Sequence, residues 1–237
     1  MPDMTRLSVV IPVFNEKDTL AQCVRRVLAV QLPLAKELIL IDDASDDGSD
    51  KVIEDICRQH SSVPIRILTH KRNQGKGASL RDGFAAVTGD IVIVQDADLE
   101  YNPDDYPALL KPILDGRADV VYGSRFVGSQ EKRVLYFWHY IGNKVVTTLS
   151  NIFTNLNLTD METCYKVFRR EVIERIQIKS RRFGVEPEIT AKIAKAHWRI
   201  YEVGISYSGR TYEEGKKITW KDGLKALMTI IRFRFFD

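Results

Sequence analysis

A chain of 237 residues that is 44% hydrophobic and 28% charged is large enough for one well-buried core, which excludes the collagen-like and disordered classes. Its formal net charge of +3 suits a phosphate-bearing ligand or an anionic membrane surface and is too small to argue for nucleic acid. Cys23, Cys57 and Cys164 show no CxxC spacing and read as reduced thiols of an intracellular protein, and neither a signal peptide nor a run of ~20 apolar residues is expected.

Leu7 to Pro12 is a short apolar run ended by proline, a buried strand. Thr19 to Val30 has helical spacing, with Leu20, Val24, Val27 and Leu28 on one face. Glu37 to Asp42 is a second strand, Ser49 to Arg58 a helix, and Ile65 to Thr69 a third strand. A helix over Ala78 to Thr88 precedes the most apolar strand, Asp90 to Gln95. A helix over Asp105 to Leu114 then leads to a strand over Asp119 to Tyr122. The strands are continuous apolar runs alternating with helices, the pattern of a parallel sheet covered on both faces.

Ligands of such sheets bind beyond the C-terminal ends of the strands, so the residues that follow each strand carry the argument. They are Pro12-Val13-Phe14-Asn15-Glu16, Asp42-Asp43-Ala44-Ser45-Asp46-Asp47-Gly48, Asp96-Ala97-Asp98-Leu99-Glu100 and Gly123-Ser124-Arg125. Crowded carboxylates repel one another, and a divalent cation with oxygen ligands, Mg2+ or Mn2+, is the natural counter-charge. Asp46, Asp47 and Gly48 read as a turn. Asp42 and Asp43 extend a buried strand, where carboxylates hold ribose or base edges. Asp96 and Asp98 flank one small residue and suit a metal held against a diphosphate. No GxGxxG follows the first strand, and Asn73-Gln74-Gly75-Lys76-Gly77-Ala78 lacks the GxxxxGK[ST] pattern. Lys76 either supports a ligand or caps the following helix. His60, His70, His139 and His197 have no ligand spacing and read as surface or packing residues.

PVFNE, DDASDDG, NQGKGASLRDGF, DADLEY and GSRF, in this order and spacing, resemble family 2 glycosyltransferases of the GT-A fold. More narrowly, they resemble polyprenyl-phosphate sugar synthases typified by dolichol-phosphate mannose synthase. The stretch from Thr159 to Lys166, TDMETCYK, resembles the family's TDxxSGFR segment, with Cys164 and Tyr165 in place of Gly and Phe. The stretch from Arg210 to Lys216 resembles a late Arg-x5-Lys segment. The resemblance implies an α/β GT-A fold with a mostly parallel central sheet covered by helices on both faces. It implies one domain over residues 1–237, with a nucleotide-sugar half (1–129) and an acceptor half (130–237). Pro12, Phe14, Glu16, Ile41 and Asp43 would wall the base and ribose. Asp96, Ala97 and Asp98 would form the nucleotide-sugar and metal site, with Glu100 as a further metal ligand where relatives carry Gln. Arg125 would contact phosphate, and Arg210 and Lys216 would neutralise the leaving diphosphate. Catalysis is thus expected of Asp98, Arg125, Arg210 and Lys216.

The expected reaction moves a hexose, mannose or glucose, from a GDP- or UDP-linked sugar to a polyprenyl or dolichyl phosphate with inversion. A phosphate nucleophile is already ionised and needs no base, only a cationic cradle. Arg125 is the first candidate for it, with Lys132 and Arg133 behind; Tyr136 to Tyr140, where synthases often carry another arginine, is aromatic. The alternative enzyme acts on a sugar hydroxyl and needs a base, Asp160 or Glu186. A non-catalytic nucleotide-binding subunit is the alternative of another class, and the acidic and basic set argues against it. Val134, Phe137, Trp138, Ile141, Val145, Leu149, Ile152, Phe153 and Leu156 repeat at helical spacing, which fits both core packing and membrane contact. Trp220, Leu224, Leu227, Met228, Ile231 and Phe235 do the same beside six basic residues from Lys216 to Arg234, which favours a membrane interface over packing or a dimer contact. With the sequence ending at Asp237, the expected location is the cytoplasmic face of a membrane, held peripherally. A membrane-anchoring partner or a homodimer is compatible with this, and no nucleic-acid partner is expected.

Overall fold

The computed structural model of the protein describes residues 4–128, 131–134, 136–182, 184–211 and 220–236, the last stretch by backbone alone as far as residue 227. The first half runs β1 (Arg6–Val13), α1 (Leu20–Ala29), β2 (Ala35–Asp42), α2 (Ser49–Gln59), β3 (Ile65–Thr69), α3 (Lys76–Ala86) and β4 (Ile91–Val94). A short 3-10 turn, Pro103–Asp105, leads into α4 (Tyr106–Leu114) and β5 (Val120–Ser124). Helices cover the sheet, so both faces of β1, β2 and β4 are buried and their sequences are apolar without alternation. Close packing sets the composition of α3. A Cβ on Gly83 would lie 2.6 Å from Val10 Cγ1 and 2.9 Å from Ile41 Cδ1, so only glycine lets this helix rest on β1 and β2.

The second half adds α5 (Phe137–Thr154), β6 (Lys166–Arg169), α6 (Arg170–Glu174), α7 (Val185–Lys195), β7 (Ile200–Gly204) and α8 (Trp220–Phe235). The seven strands form one sheet in the order β3-β2-β1-β4-β6-β5-β7. All neighbours are parallel except β6, which runs antiparallel to both β4 and β5. This one reversal shapes the functional edge. Because β6 enters where β4 and β5 leave, the residues just before Lys166 lie at the same edge as those just after Val94 and Ser124.

Helix α5 packs against α8 and α7. Its buried positions are the small polar residues Thr147 and Ser150, with Val146, Leu149, Phe153 and Leu156 partly covered. Its other apolar side chains point away from the core: Trp138 is 78% exposed, and Phe137, Val145 and Ile152 are exposed as well. On α8, Ile230 and Phe233 are buried, while Met228, Ile231 and Phe235 are exposed. Packing and exposure therefore divide these helices between two faces. Among the described residues, no helix is long and apolar enough to cross a membrane.

Candidate functional site

The acidic loops follow β1, β2 and β4 as the strand ends require. Behind β2, Asp43 is buried and both its oxygens are engaged. Oδ1 lies 2.6 Å from His70 Nδ1 and accepts the Gln74 N–H at 2.8 Å, and Oδ2 accepts the Gly75 N–H at 2.7 Å. Gly75 adopts φ +92°, a region that disfavours side chains, so this loop is built to wrap the carboxylate. Asp43, expected to face the nucleoside, holds the 73–75 loop through these bonds. Ile41, expected in the same wall, is fully buried. Strand alternation turns its side chain into the core against Gly83. Pro12 stays partly exposed and Phe14 exposed at the end of β1, where a base-and-ribose wall was expected. His70 is a buried residue, its Nε2 3.1 Å from Asp82 Oδ2. The turn reading of Asp46 to Gly48 holds: Asp47 accepts the N–H groups of Lys17 and Ser49, and Gly48 sits at φ +98°.

Beyond β4 the three acids diverge. Asp96 pairs with Lys76 Nζ at 2.9 Å, and the same ammonium lies 3.3 Å from Glu186 Oε1. Lys76 thus bridges two carboxylates, and Asp96 and then Glu186 hold its charge despite burial. Ala97 is buried beneath this loop. Glu100 turns toward the late segment: Oε2 accepts the Tyr207 hydroxyl at 2.6 Å and Oε1 the Arg210 N–H at 2.9 Å. Asp98 is different, because among the described residues its carboxylate accepts only the Glu100 N–H, at 3.1 Å. Burial, then the charges of Asp96 and Glu100, push the Asp98 carboxyl up to about 7.

That environment fits a divalent cation. Among the described residues no three metal-ligating side chains converge, so the protein offers a partial set, Asp98 with Asp96 beside it. Mg2+ and Mn2+ commonly use one or two carboxylates and take the rest of their shell from phosphate oxygens and water. Glu100, expected as a further metal ligand, tethers the late segment through both its oxygens.

The basic residues are also paired. Arg210 Nη2 meets Glu16 Oε2 at 3.0 Å and donates to the Asp98 carbonyl at 2.9 Å. Arg125 and Asp160 form a two-point pair, Nε to Oδ2 and Nη2 to Oδ1, each at 2.7 Å. The Tyr207 ring lies 5.2 Å from the Arg125 guanidinium while its hydroxyl reaches Glu100, so Tyr207 joins the two basic centres. Arg133 reaches the Gly209 carbonyl, and Lys132 bridges to the Tyr207 backbone. Lys216 lies outside the described residues.

Sequence reasoning missed Tyr207 and the ion pair of Glu16 with Arg210, and assigned no role to Glu162. Glu162 enters this edge on the segment before β6. Burial, then the Glu186 charge, push its carboxyl up to about 8.

Residues 8–177 match the family model described as glycosyl transferase family 2. An undecaprenyl-phosphate 4-deoxy-4-formamido-L-arabinose transferase of Aeromonas hydrophila is 31% identical over 216 residues, covering 90% of this chain and 63% of the relative. Its counterpart in Photorhabdus laumondii is 29% identical over 213 residues, covering 89% of this chain and 62% of the relative. The chain therefore spans less than two thirds of the length of these curated relatives. Among solved structures, glucosyl-3-phosphoglycerate synthase from Mycobacterium tuberculosis, in complex with Mn2+, UDP and phosphoglyceric acid, superposes with a TM-score of 0.75 at 18% identity. That superposition covers 99% of this chain and 80% of the synthase. It matches the GT-A arrangement of a mixed, mostly parallel sheet with helices on both faces.

Proposed function

The chain belongs to glycosyl transferase family 2, and on that premise we propose that it transfers a glycosyl group, a hexose such as mannose or glucose, from a nucleotide-sugar to a polyprenyl phosphate with inversion. The observation that carries this reading is the pairing of Asp160 with Arg125. A hydroxyl acceptor needs a free base, and Asp160 is fully buried with both oxygens on the guanidinium. Glu186, the other candidate base, has one oxygen, Oε1, on Lys76. A phosphate acceptor is ionised already and needs neither. The relatives that act on undecaprenyl phosphate support the same choice.

Asp98 and Asp96 would hold Mg2+ or Mn2+, which when bound supplies positive charge against the leaving diphosphate. The chain's own residues do the rest. Arg210 is placed over Asp98 and would exchange its Glu16 partner for a diphosphate oxygen, a charge-assisted contact that strengthens as negative charge develops. Lys216 would join it. The Arg125 guanidinium would meet the acceptor phosphate. A groove of about 500 Å³ beside Thr159, lined by Lys144, Ile152 and Leu156, offers room for the first isoprenoid units. The exposed faces of α5 and α8 would rest on the membrane, on its cytoplasmic face.

The test supplies vesicles containing either undecaprenyl phosphate or undecaprenol, with labelled GDP-mannose, UDP-glucose and Mn2+. Glycolipid should form with the phosphate alone. Equal product on undecaprenol would overturn the acceptor assignment.

A further inference from the structure

Among the described residues, three buried side-chain nitrogen or oxygen atoms lack a hydrogen-bond partner, and two of them are carboxylate oxygens in one cluster, Glu162 Oε1 and Glu186 Oε2. Native interiors rarely leave such atoms unpaired, so each needs an explanation. The Glu186 side chain is only 9% exposed; Oε1 faces Lys76 and Oε2 faces no protein donor. Among the described residues Glu162 Oε1 has no hydrogen-bond partner, and the residue is partly open to solvent. The cations whose charge acts on it, Lys166 and Arg125, are bonded elsewhere, Arg125 to Asp160. Lys166 donates to the carbonyls of Met161 and Thr163, and Lys76 is shared between Asp96 and Glu186. The raised Glu162 carboxyl is what burial beside a like charge and without a donor produces.

The location says which donors are missing. Lys76 links Glu186 directly to Asp96, so the orphaned oxygens lie one lysine away from the carboxylates assigned to the diphosphate end of the nucleotide-sugar. The part of that ligand which continues past the diphosphate is its glycosyl group. We propose that Glu162 and Glu186 form an acceptor pair in the glycosyl subsite, taking hydrogen bonds from hydroxyl or ammonium groups of the transferred sugar and excluding sugars that carry a carboxylate. This rests on the donor reading above and adds the class of sugar. Three carboxyl groups, Asp96, Glu162 and Glu186, face two ammonium groups, Lys76 and Lys166. A uronate carboxylate would bring another acceptor to oxygens that already lack a donor, whereas a neutral hexose supplies hydroxyl donors.

The test is calorimetric, on the full chain with Mn2+. Dissociation constants are measured for UDP, UDP-glucose and UDP-glucuronate, with GDP, GDP-mannose and GDP-mannuronate as the set for a guanine-binding pocket. The wild type should bind the neutral sugar nucleotide at least about tenfold more tightly than the uronate. Glu162→Gln should weaken the neutral sugar nucleotide several-fold and narrow that gap, with affinity for the bare diphosphate unchanged. The bare diphosphate thus reports folding and donor-site integrity separately. Equal wild-type affinity for the neutral and uronate forms overturns the proposal and leaves the donor reading standing. So does a Glu162→Gln chain that discriminates as the wild type does, which would make water the partner of these oxygens. A variant that loses turnover with every dissociation constant unchanged would make Glu162 a base and overturn the proposal too. If the wild type binds neither diphosphate, the donor reading fails and the glycosyl subsite falls with it.

Discussion

The sheet edge and the outer face of α5 and α8 follow opposite rules. At the edge almost every charge is answered by another part of the chain: Glu16 by Arg210, Asp160 by Arg125, Asp96 by Lys76, Asp43 by His70 and two backbone N–H groups. On the outer face Trp138 is 78% exposed and Met228 64%, with Phe137 and Ile152 open as well, and nothing among the described residues covers them. A ligand at the edge must exchange partners. Arg210 leaves one anion for another, so the net energy is small and geometry decides. A surface meeting the outer face exchanges nothing and gains from burial, at roughly 25 cal/mol per Å² of apolar area. On the proposed function, specificity would belong to the first region and attachment to the second.

The sharpest way to break the comparison is at Asp98, whose carboxylate accepts only the Glu100 N–H among the described residues. Asp98→Asn should lower transfer by about a thousandfold, the scale of losing a central electrostatic element. Its thermal stability should stay equal or rise, because the change removes a charge that burial opposes. Turnover near wild type would end the role given to Asp98.

Arg210→Ala should have the next largest effect, about a hundredfold on kcat with a smaller change in nucleoside diphosphate affinity. Glu16→Gln sharpens the point. If Arg210 exchanges Glu16 for the diphosphate, loosening that pair should strengthen diphosphate binding a few-fold. Weaker binding in Glu16→Gln would mean that Glu16 touches the ligand itself, as the wall reading holds.

How much of this edge is legible in the sequence follows from its physics. Strands β1, β2 and β4 are apolar runs that end in acidic or proline-containing loops, so both their type and the loops that follow them are read directly. The four-residue strand β6 is not. Lys166 and Arg169 stand at its ends, and Lys166 is buried only because the turn before it offers carbonyl oxygens, which exist after folding. Its antiparallel insertion brings Asp160 and Glu162 to the site, and no local pattern encodes that. The pair of Arg210 with Glu16 joins positions 194 residues apart. Asp43 shows the reverse limit. Its position beside the site is legible, but the direction of its carboxylate depends on His70 and on the left-handed turn at Gly75. On α5, helical spacing shows an apolar surface but not which stripe faces inward, because the buried stripe there is marked by Thr147 and Ser150.

The outer face predicts a smaller and different effect. Phe137→Ser with Trp138→Ser should weaken binding to anionic vesicles by about tenfold, since a fully buried large apolar side chain contributes about 1.5–3 kcal/mol and an interface covers only part of it. Binding of soluble nucleoside diphosphate should not change. Unaltered vesicle sedimentation would turn attention to a second copy or a protein partner on this face. Loss of diphosphate binding would show that the two regions are coupled.

The smallest expected effect concerns the cation and pH. An aspartate in an unfolded chain titrates near pH ~3.9, whereas burial, Asp96 and Glu100 push Asp98 up to about 7. Between these values the folded chain holds a proton that the unfolded chain has lost. The stabilisation from this group is therefore present at low pH and is lost as pH rises through about 7. A divalent cation needs the ionised form and competes with that proton. The gain in Tm from excess Mn2+ should be larger near pH ~8 than near pH ~5.5, by about 4 °C for a domain of this size. Comparing Tm with and without Mn2+ at each pH cancels groups that titrate without touching the metal, Glu162 among them. Asp98→Asn should remove the gain at both pH values. A gain that is independent of pH, or one that survives in Asp98→Asn, would place the cation elsewhere and leave the isolation of Asp98 without a metal to explain it.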